Sequence, residues 1–431
     1  MMKLFNKFSV VLCTLLMALC LMTACNKESD PLPEPDPNPG KWPYRPRPEV
    51  ADQTLLFHLS GRTLLSYFRD VNVPEIQEAI SQHILYDSRV LLYIQPTTEQ
   101  SLLIEYSFDY ETQASRADTL RTYEGKRSID KDHIVEVFSD VKEIAPAKRY
   151  GVVLGSHGGG WVPDEYPSLT TNEDSGGGIW SLDTQHLEPH DWLIKSPGAE
   201  PTRWYGEHDG QTTDIATWAT AFAEAPMQFE YIIFDACFMS NIEALYELRH
   251  AARYIVASPC EIMGRGISYT TALPTLFENE GRDYNLEGFC HAFHDFYTNT
   301  TTERKSACVA MTCCEELEAM AEATRAVMNS ATRQVSLYEL QTYEGLMRPL
   351  FFDFRQYIKK LSDDEAAKAA FEEQFDRTFP EACRLHTPSF YSGYNGMMNM
   401  ITSYSGVTTS QPSKKYPKAW SECAWAKAIL E

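Results

Sequence analysis

Apolar runs of strand length alternate with helix-period stretches along most of this chain, and two of the runs end in a histidine and a cysteine. Strand, helix, strand in succession builds a largely parallel sheet covered on both faces. Residues 53–59 (QTLLFHL) predict the first strand, 73–83 a helix and 90–95 (VLLYIQ) the second strand. Residues 102–108 alternate as one arm of a hairpin, and 130–144 have helical periodicity with Asp130 as cap. A buried strand at 149–156 (RYGVVLGS) runs straight into His157-Gly158-Gly159-Gly160-Trp161. A helix at 213–223 and a strand at 229–235 (FEYIIFD) lead to Ala236-Cys237, with a helix expected at 241–252 and a strand at 253–257. Beyond these, helices are read at 284–297 and 315–328, a short strand at 307–311, and a mostly helical stretch at 334–376 broken at Pro349.

In open sheets of this kind ligands bind beyond the carboxyl ends of the strands, so His157 and Cys237 are expected on one edge. The two residue types belong together chemically. A thiol is a weak nucleophile until a neighbouring imidazole takes its proton. The carbonyl it attacks develops an oxyanion that backbone N–H groups must meet. Gly158 lets the chain turn its amide toward that oxygen, and the amide of Cys237 is a second donor. A helix starting just after Cys237 would also favour the thiolate. Either residue alone is usually structural, a buried cysteine being mostly a small hydrophobe; their joint occurrence at two strand ends carries the argument. Cys260 also follows a strand, but Pro259 precedes it and no glycine turn adjoins it. Ser156 reads as a structural neighbour.

The motifs His157-Gly158-Gly159-Gly160-Trp161, Phe234-Asp235-Ala236-Cys237-Phe238-Met239 and Asn241-Ile242-Glu243 resemble the clostripain family of cysteine peptidases, in the clan of caspases, legumains and gingipains. The likeness runs over residues 52–270, and more faintly through Phe352-Asp353-Phe354 to Trp420. It implies a caspase-like (α/β/α) mostly parallel sheet with helices on both faces, plus a mainly helical C-terminal extension. It further implies His157 as general base or acid, Cys237 as nucleophile and an oxyanion hole from the amides of Gly158 and Cys237. Relatives prefer Arg or Lys before the scissile bond and read it with acidic groups. Asp235 matches the acid two before the nucleophile, and Glu261 is the second acid on offer, at altered spacing. Relatives often cut themselves between the two catalytic residues after a basic side chain. Lys195 and Arg203 are the candidates here, within a Gly-, Pro- and Trp-rich insertion near 162–210; the alternative is an intact loop bordering the cleft. Some relatives require calcium, and Glu173, Asp174 and Asp183 are the acids considered for it, although acidic loops are commonly only solvated. The reaction itself implies no cofactor and no metal.

The amino terminus reads as an address. Lys3 and Lys7 precede an apolar core at 8–21, too short to span a bilayer comfortably, and Leu21-Met22-Thr23-Ala24-Cys25 resembles a bacterial lipobox. Residues 1–24 are therefore expected as a lipoprotein signal, Cys25 as the lipidation site and 25–42 as a Pro-rich spacer. An ordinary secretory signal with an incidental Cys25 is the alternative. Lys27-Glu28 also resembles the surface-export signal of some bacterial lipoproteins. The expected location is the cell envelope, lipid-anchored to the outer membrane. The peptidase domain is expected over 43–300 and a C-terminal α-rich part over 301–431, packed on or completing the same domain.

The formal charge of −22 argues against nucleic acid as a partner and suits a peptide or protein substrate bearing cations. Outside the signal and Cys25 there are eight cysteines without zinc-type spacing, read as mostly buried free thiols. The rival to a peptidase is a catalytically weak or inactive surface module binding glycan or protein through Trp161, Trp180, Trp192, Trp204 and Tyr205. Those aromatics are equally well read as local core.

Overall fold

The computed structural model describes residues 47–161 and 206–431, except 62–63, 65–66, 209–210, 301–303, 347–348 and 414–415. Nine strands form the main sheet: β1 (Ala51–Leu59), β2 (Arg89–Ile94), β3 (Gln100–Asp109), β4 (Ala114–Glu124), β5 (Ala147–Gly155), β6 (Phe229–Asp235), β7 (Ala252–Ala257), β8 (Cys308–Cys313) and β9 (Leu385–His386). Their order is β9-β8-β7-β6-β5-β1-β2-β3-β4. The five central strands from β7 to β2 run parallel, and both flanks are antiparallel. This is the expected caspase-like α/β/α architecture.

Side chains alternate across each strand, which gives the sheet two apolar faces. Leu56, Leu91, Val152, Leu154, Ile232, Phe234 and Ile255 point to one core. Leu55, Phe57, Leu92, Val153, Ile233 and Val256 point to the other. The second face is covered by α1 (Val73–Ile80), by residues 269–277 and by a helix at Leu286–Asn299. On the first face lie α2 (Lys131–Ile144), α3 (Ile215–Glu224) and α4 (Ile242–Glu247), with three later helices at Leu317–Asn329, Phe354–Leu361 and Glu365–Thr378. Buried to this extent on both sides, the central strands need near-continuous apolar sequence, which is what made them legible.

Three expectations shift. The helix read at 241–252 is only α4, six residues long, because the chain must leave it to start β7 at Ala252. Among the described residues of 334–350 the only helical piece is a single turn at Leu337–Glu339; helix resumes at Phe354, where Asp353 accepts the Gln356 N–H as its cap. Strand β4 was not foreseen, since its sequence ASRADTLRTYE is largely solvent-facing. Asp130 does precede α2, but without a side-chain capping bond.

Candidate active site

The strand register places the motifs side by side. Gly155, the last residue of β5, is paired with Asp235, the last residue of β6. Hence Ser156-His157 and Ala236-Cys237 leave the same edge on neighbouring parallel strands. Chain order also reverses here: β1 is followed by β2 on one side of it and by β5 on the other. Such switch points open a crevice beyond the strand ends. All four strand ends contribute to it: Leu64, Tyr67, Phe68 and Asn72 after β1, Ser156 and His157 after β5, Asp235, Ala236 and Cys237 after β6, and Ile262, Met263, Gly264 and Gly266 after β7. The cleft is narrow, about 40 Å³.

Gly158 is there for contact. A methyl group on it would lie 2.3 Å from the carbonyl oxygen of Cys237 and 3.1 Å from its nitrogen, so the two backbones whose amides were singled out touch. Directly after Cys237 the chain turns sharply, with Phe238 at φ +60°. A non-glycine residue in the left-handed region costs about 1–2 kcal/mol. It is held there by its N–H on the Cys260 carbonyl at 3.1 Å and by ring stacking on Phe351 at 4.9 Å. The Cys237 sulfur accepts the Ile262 N–H at 3.4 Å.

Electrostatically the pair departs from expectation. Burial pulls the His157 imidazole down to about 3 and pushes the Cys237 thiol up, with Glu261 adding to the upward push. Burial thus favours a neutral thiol beside a neutral imidazole. Nor does α4 help, because four residues separate Cys237 from its first residue and Asn241 caps it through the Ala244 N–H. Helix-dipole effects fade within the first turn.

Asp235 is half-buried in the cleft. Its Oδ2 accepts the Tyr269 hydroxyl at 2.8 Å and the Ile267 N–H at 3.3 Å. Burial raises it to about 6, and the nearby Glu75 carboxylate adds to that. Glu261 is not in the cleft lining; its Oε1 accepts the Gly393 N–H at 2.9 Å. The acid whose charge acts on Asp235 is Glu75 of α1, which accepts the Tyr269 N–H and pairs with Arg265. Sequence reasoning missed Glu75, Tyr269 and the 262–266 wall. The Gly264-Arg265-Gly266 spacing just past a strand end was the one local signal for that wall.

Cys260 is fully buried with its sulfur against Ser258 Oγ and the Glu261 carbonyl, and is not part of the cleft lining. Ser156 does line the cleft. The eight cysteines of the described part are free, five of them buried. Trp161 is buried and donates to Ser410 Oγ at 2.6 Å, which fits local core. Cys25, Glu173, Asp174, Asp183, Lys195, Arg203, Trp180, Trp192, Trp204 and Tyr205 lie outside the described residues.

A sheet of this topology with thiol and imidazole motifs at adjoining strand ends defines the class: a cysteine peptidase on a caspase-like fold. Residues 198–414, 217 of the 431, match peptidase C11, the clostripain family, and the chain belongs to that family. The matched span includes Asp235 and Cys237 and begins after His157. Among solved structures the chain is similar to iotapain, a secreted C11 cysteine protease from Bacteroides thetaiotaomicron, with 29% identity and a TM-score of 0.74 over 89% of this chain and 100% of that one. A secreted C11 cysteine protease from the same organism, in complex with an irreversible peptide inhibitor, shares the fold at 21% identity and TM-score 0.70 over 88% and 99% of the two chains. So does an inactive zymogen C11 protease from Parabacteroides distasonis, at 24% and 0.69 over 89% and 99%. No curated protein matches the chain. The reading as an inactive binding module gives way to a hydrolase.

Proposed function

We propose that the chain is an exported endopeptidase that cleaves after lysine or arginine, with Cys237 as nucleophile and His157 as the group that moves the proton. The observation that carries this is the shared cleft: His157, Cys237 and a half-buried aspartate side by side at the ends of β5 and β6. Asp235 receives only neutral donors, a hydroxyl and an amide, and no cation among the described residues bonds it. A carboxylate left in that state is poorly compensated until a cationic side chain enters. Glu261 is assigned no direct contact with that side chain, since its carboxylate is engaged by Gly393.

In the reaction, Cys237 Sγ bonds to the carbonyl carbon as its proton passes to His157, and the oxyanion forms against the N–H groups of Gly158 and Cys237. His157 then protonates the leaving amine as the C–N bond breaks, giving an acyl-thioester; water attacks it with His157 taking the water's proton, and the C–S bond breaks as that proton returns to Cys237 and the acid product leaves. Starting from a neutral pair, proton transfer accompanies attack instead of preceding it. The chemistry needs no cofactor. Cys25 would carry lipid and residues 25–42 would act as the tether, placing the enzyme on the outer membrane; the secreted nature of the similar iotapain agrees with export. Mass spectrometry of the mature protein, reading whether its terminus is a lipid-modified Cys25, tests the anchor. New termini after Lys195 or Arg203 in the same spectra would mark self-cleavage.

The activity test is turnover of peptides ending in Lys, Arg or a neutral residue. Cys237→Ala should lower all cleavage by at least roughly 10⁴-fold; unchanged turnover would sink the dyad. Asp235→Asn should cost basic substrates roughly 100- to 1000-fold and neutral ones little, and an equal loss for both would remove Asp235 from specificity.

A further inference from the structure

We infer that Tyr269 makes the pocket favour lysine over arginine, by occupying one of the two oxygens that a guanidinium needs. The inference rests on the reading of Asp235 as the floor of a basic pocket. Both donors that reach Asp235, the Tyr269 hydroxyl at 2.8 Å and the Ile267 N–H at 3.3 Å, bond the same atom, Oδ2. A carboxylate oxygen offers about two lone-pair sites, so Oδ2 is filled. No donor among the described residues bonds Oδ1, which is left for the incoming side chain.

Arginine and lysine use a carboxylate differently. The guanidinium is a planar fork whose strength comes from two parallel N–H bonds to two oxygens. The ammonium is a compact point charge that loses nothing by meeting a single oxygen. A floor with one free oxygen therefore takes lysine end-on and denies arginine its second contact.

The arrangement is held from outside the cleft. Tyr269 is fully buried, edge-on to Phe57 with ring centroids 5.1 Å apart. Its backbone N–H donates to Glu75 Oε2 at 2.8 Å, and the other oxygen of Glu75 grips Arg265. Asn72 adds a bond to the Arg265 carbonyl at 3.1 Å. Gly266, at φ +74°, brings the backbone so close that a methyl there would sit 2.7 Å from both Asp235 oxygens. The two bonds to Oδ2, with the Gly266 backbone close beside the carboxylate, hold it in this orientation.

The test compares peptide substrates that differ only in Lys or Arg before the scissile bond. The intact enzyme should give a higher kcat/KM for Lys. Tyr269→Phe keeps the ring, so the packing on Phe57 survives, and it frees one site on Oδ2. It should shift the Arg-to-Lys ratio toward Arg by roughly tenfold, the value of one charge-assisted hydrogen bond. An intact enzyme that prefers Arg, or a variant that scales both substrates alike, would overturn the inference. Calorimetric binding of Lys- and Arg-terminated peptide aldehydes supplies the same ratio without turnover. Asp235→Asn separates the two levels. If it spares basic substrates, the pocket itself is misassigned; if it removes them while the Tyr269→Phe ratio stays put, only the role of Tyr269 fails.

Discussion

Two aspartates in this molecule have nearly the same partners and opposite situations. Asp353, ahead of the helix at Phe354–Leu361, is fully buried: Oδ1 accepts the Gln356 N–H at 2.8 Å, and Oδ2 accepts the Tyr343 hydroxyl at 2.9 Å and the Ser405 N–H at 2.8 Å. Asp235 likewise has one tyrosine hydroxyl and one backbone amide on Oδ2, but no described donor on Oδ1. Burial raises both carboxyls. The difference is a single oxygen. Asp353 ties segments together with both oxygens engaged, which spares the cost of an unmet one inside the protein. Where one is left open at the mouth of a cleft, the fold has given up stability that a ligand can restore.

Exchanging the two roles by mutation is the most direct way to break this comparison. Asp235→Asn, already expected to cut basic-substrate turnover sharply, should leave the melting temperature unchanged or raise it, because an uncompensated charge is removed. Asp353→Ala removes a helix cap and leaves the Ser405 N–H without its acceptor, while the Tyr343 hydroxyl keeps the Ser403 carbonyl. It should cost about 3 kcal/mol, lowering the melting temperature by roughly 5 °C. The folded fraction should keep the Lys-to-Arg ratio of the parent. Calorimetry and peptide turnover on the same two variants decide it. If Asp235→Asn melts as early as Asp353→Ala, the open oxygen is not a stability cost and the contrast is empty.

How much of this was legible depended on distance along the chain. Residues 229–235 were read as a strand and are one, because a central parallel strand buried on both faces must be continuously apolar. The adjacency of the His157 and Cys237 motifs followed from topology alone, since both come at carboxyl ends of such strands. Strand β4 stayed hidden because charges stand at its half-buried positions (Arg116, Asp118) as well as at an exposed one (Arg121), which obscures the alternation. The surroundings of Asp235 were not readable for another reason. Glu261 was considered because it follows the next strand, at altered spacing; its Oε1 accepts the N–H of Gly393, 132 residues on, a partner that local spacing could not indicate. Glu75 and Tyr269, which hold the pocket, are 194 residues apart in their own bond. Local spacing finds the nucleophile and its base; only packing reveals which side chains fill an oxygen.

A smaller effect sharpens the comparison through pH. With Asp235 raised to about 6, the carboxylate needed for a basic side chain is about one-tenth ionised at pH 5 and mostly ionised at pH 7. His157, lowered to about 3, does not change charge in that range. The kcat/KM for a Lys substrate should therefore rise roughly tenfold from pH 5 to pH 7 and then level off. Stability runs the other way. An acid whose folded value lies above its ordinary 3.8 binds its proton more tightly when folded, so its contribution is fully present below about 4 and is lost as pH rises through about 6. Asp235→Asn should abolish both slopes at once, leaving residual turnover flatter between pH 5 and pH 7 and melting temperature flatter between pH 4 and pH 6. A neutral-residue substrate followed alongside provides the control. If its turnover shows the same rise in the parent enzyme, the titrating group belongs to the chemical step and not to the pocket that Asp235 floors.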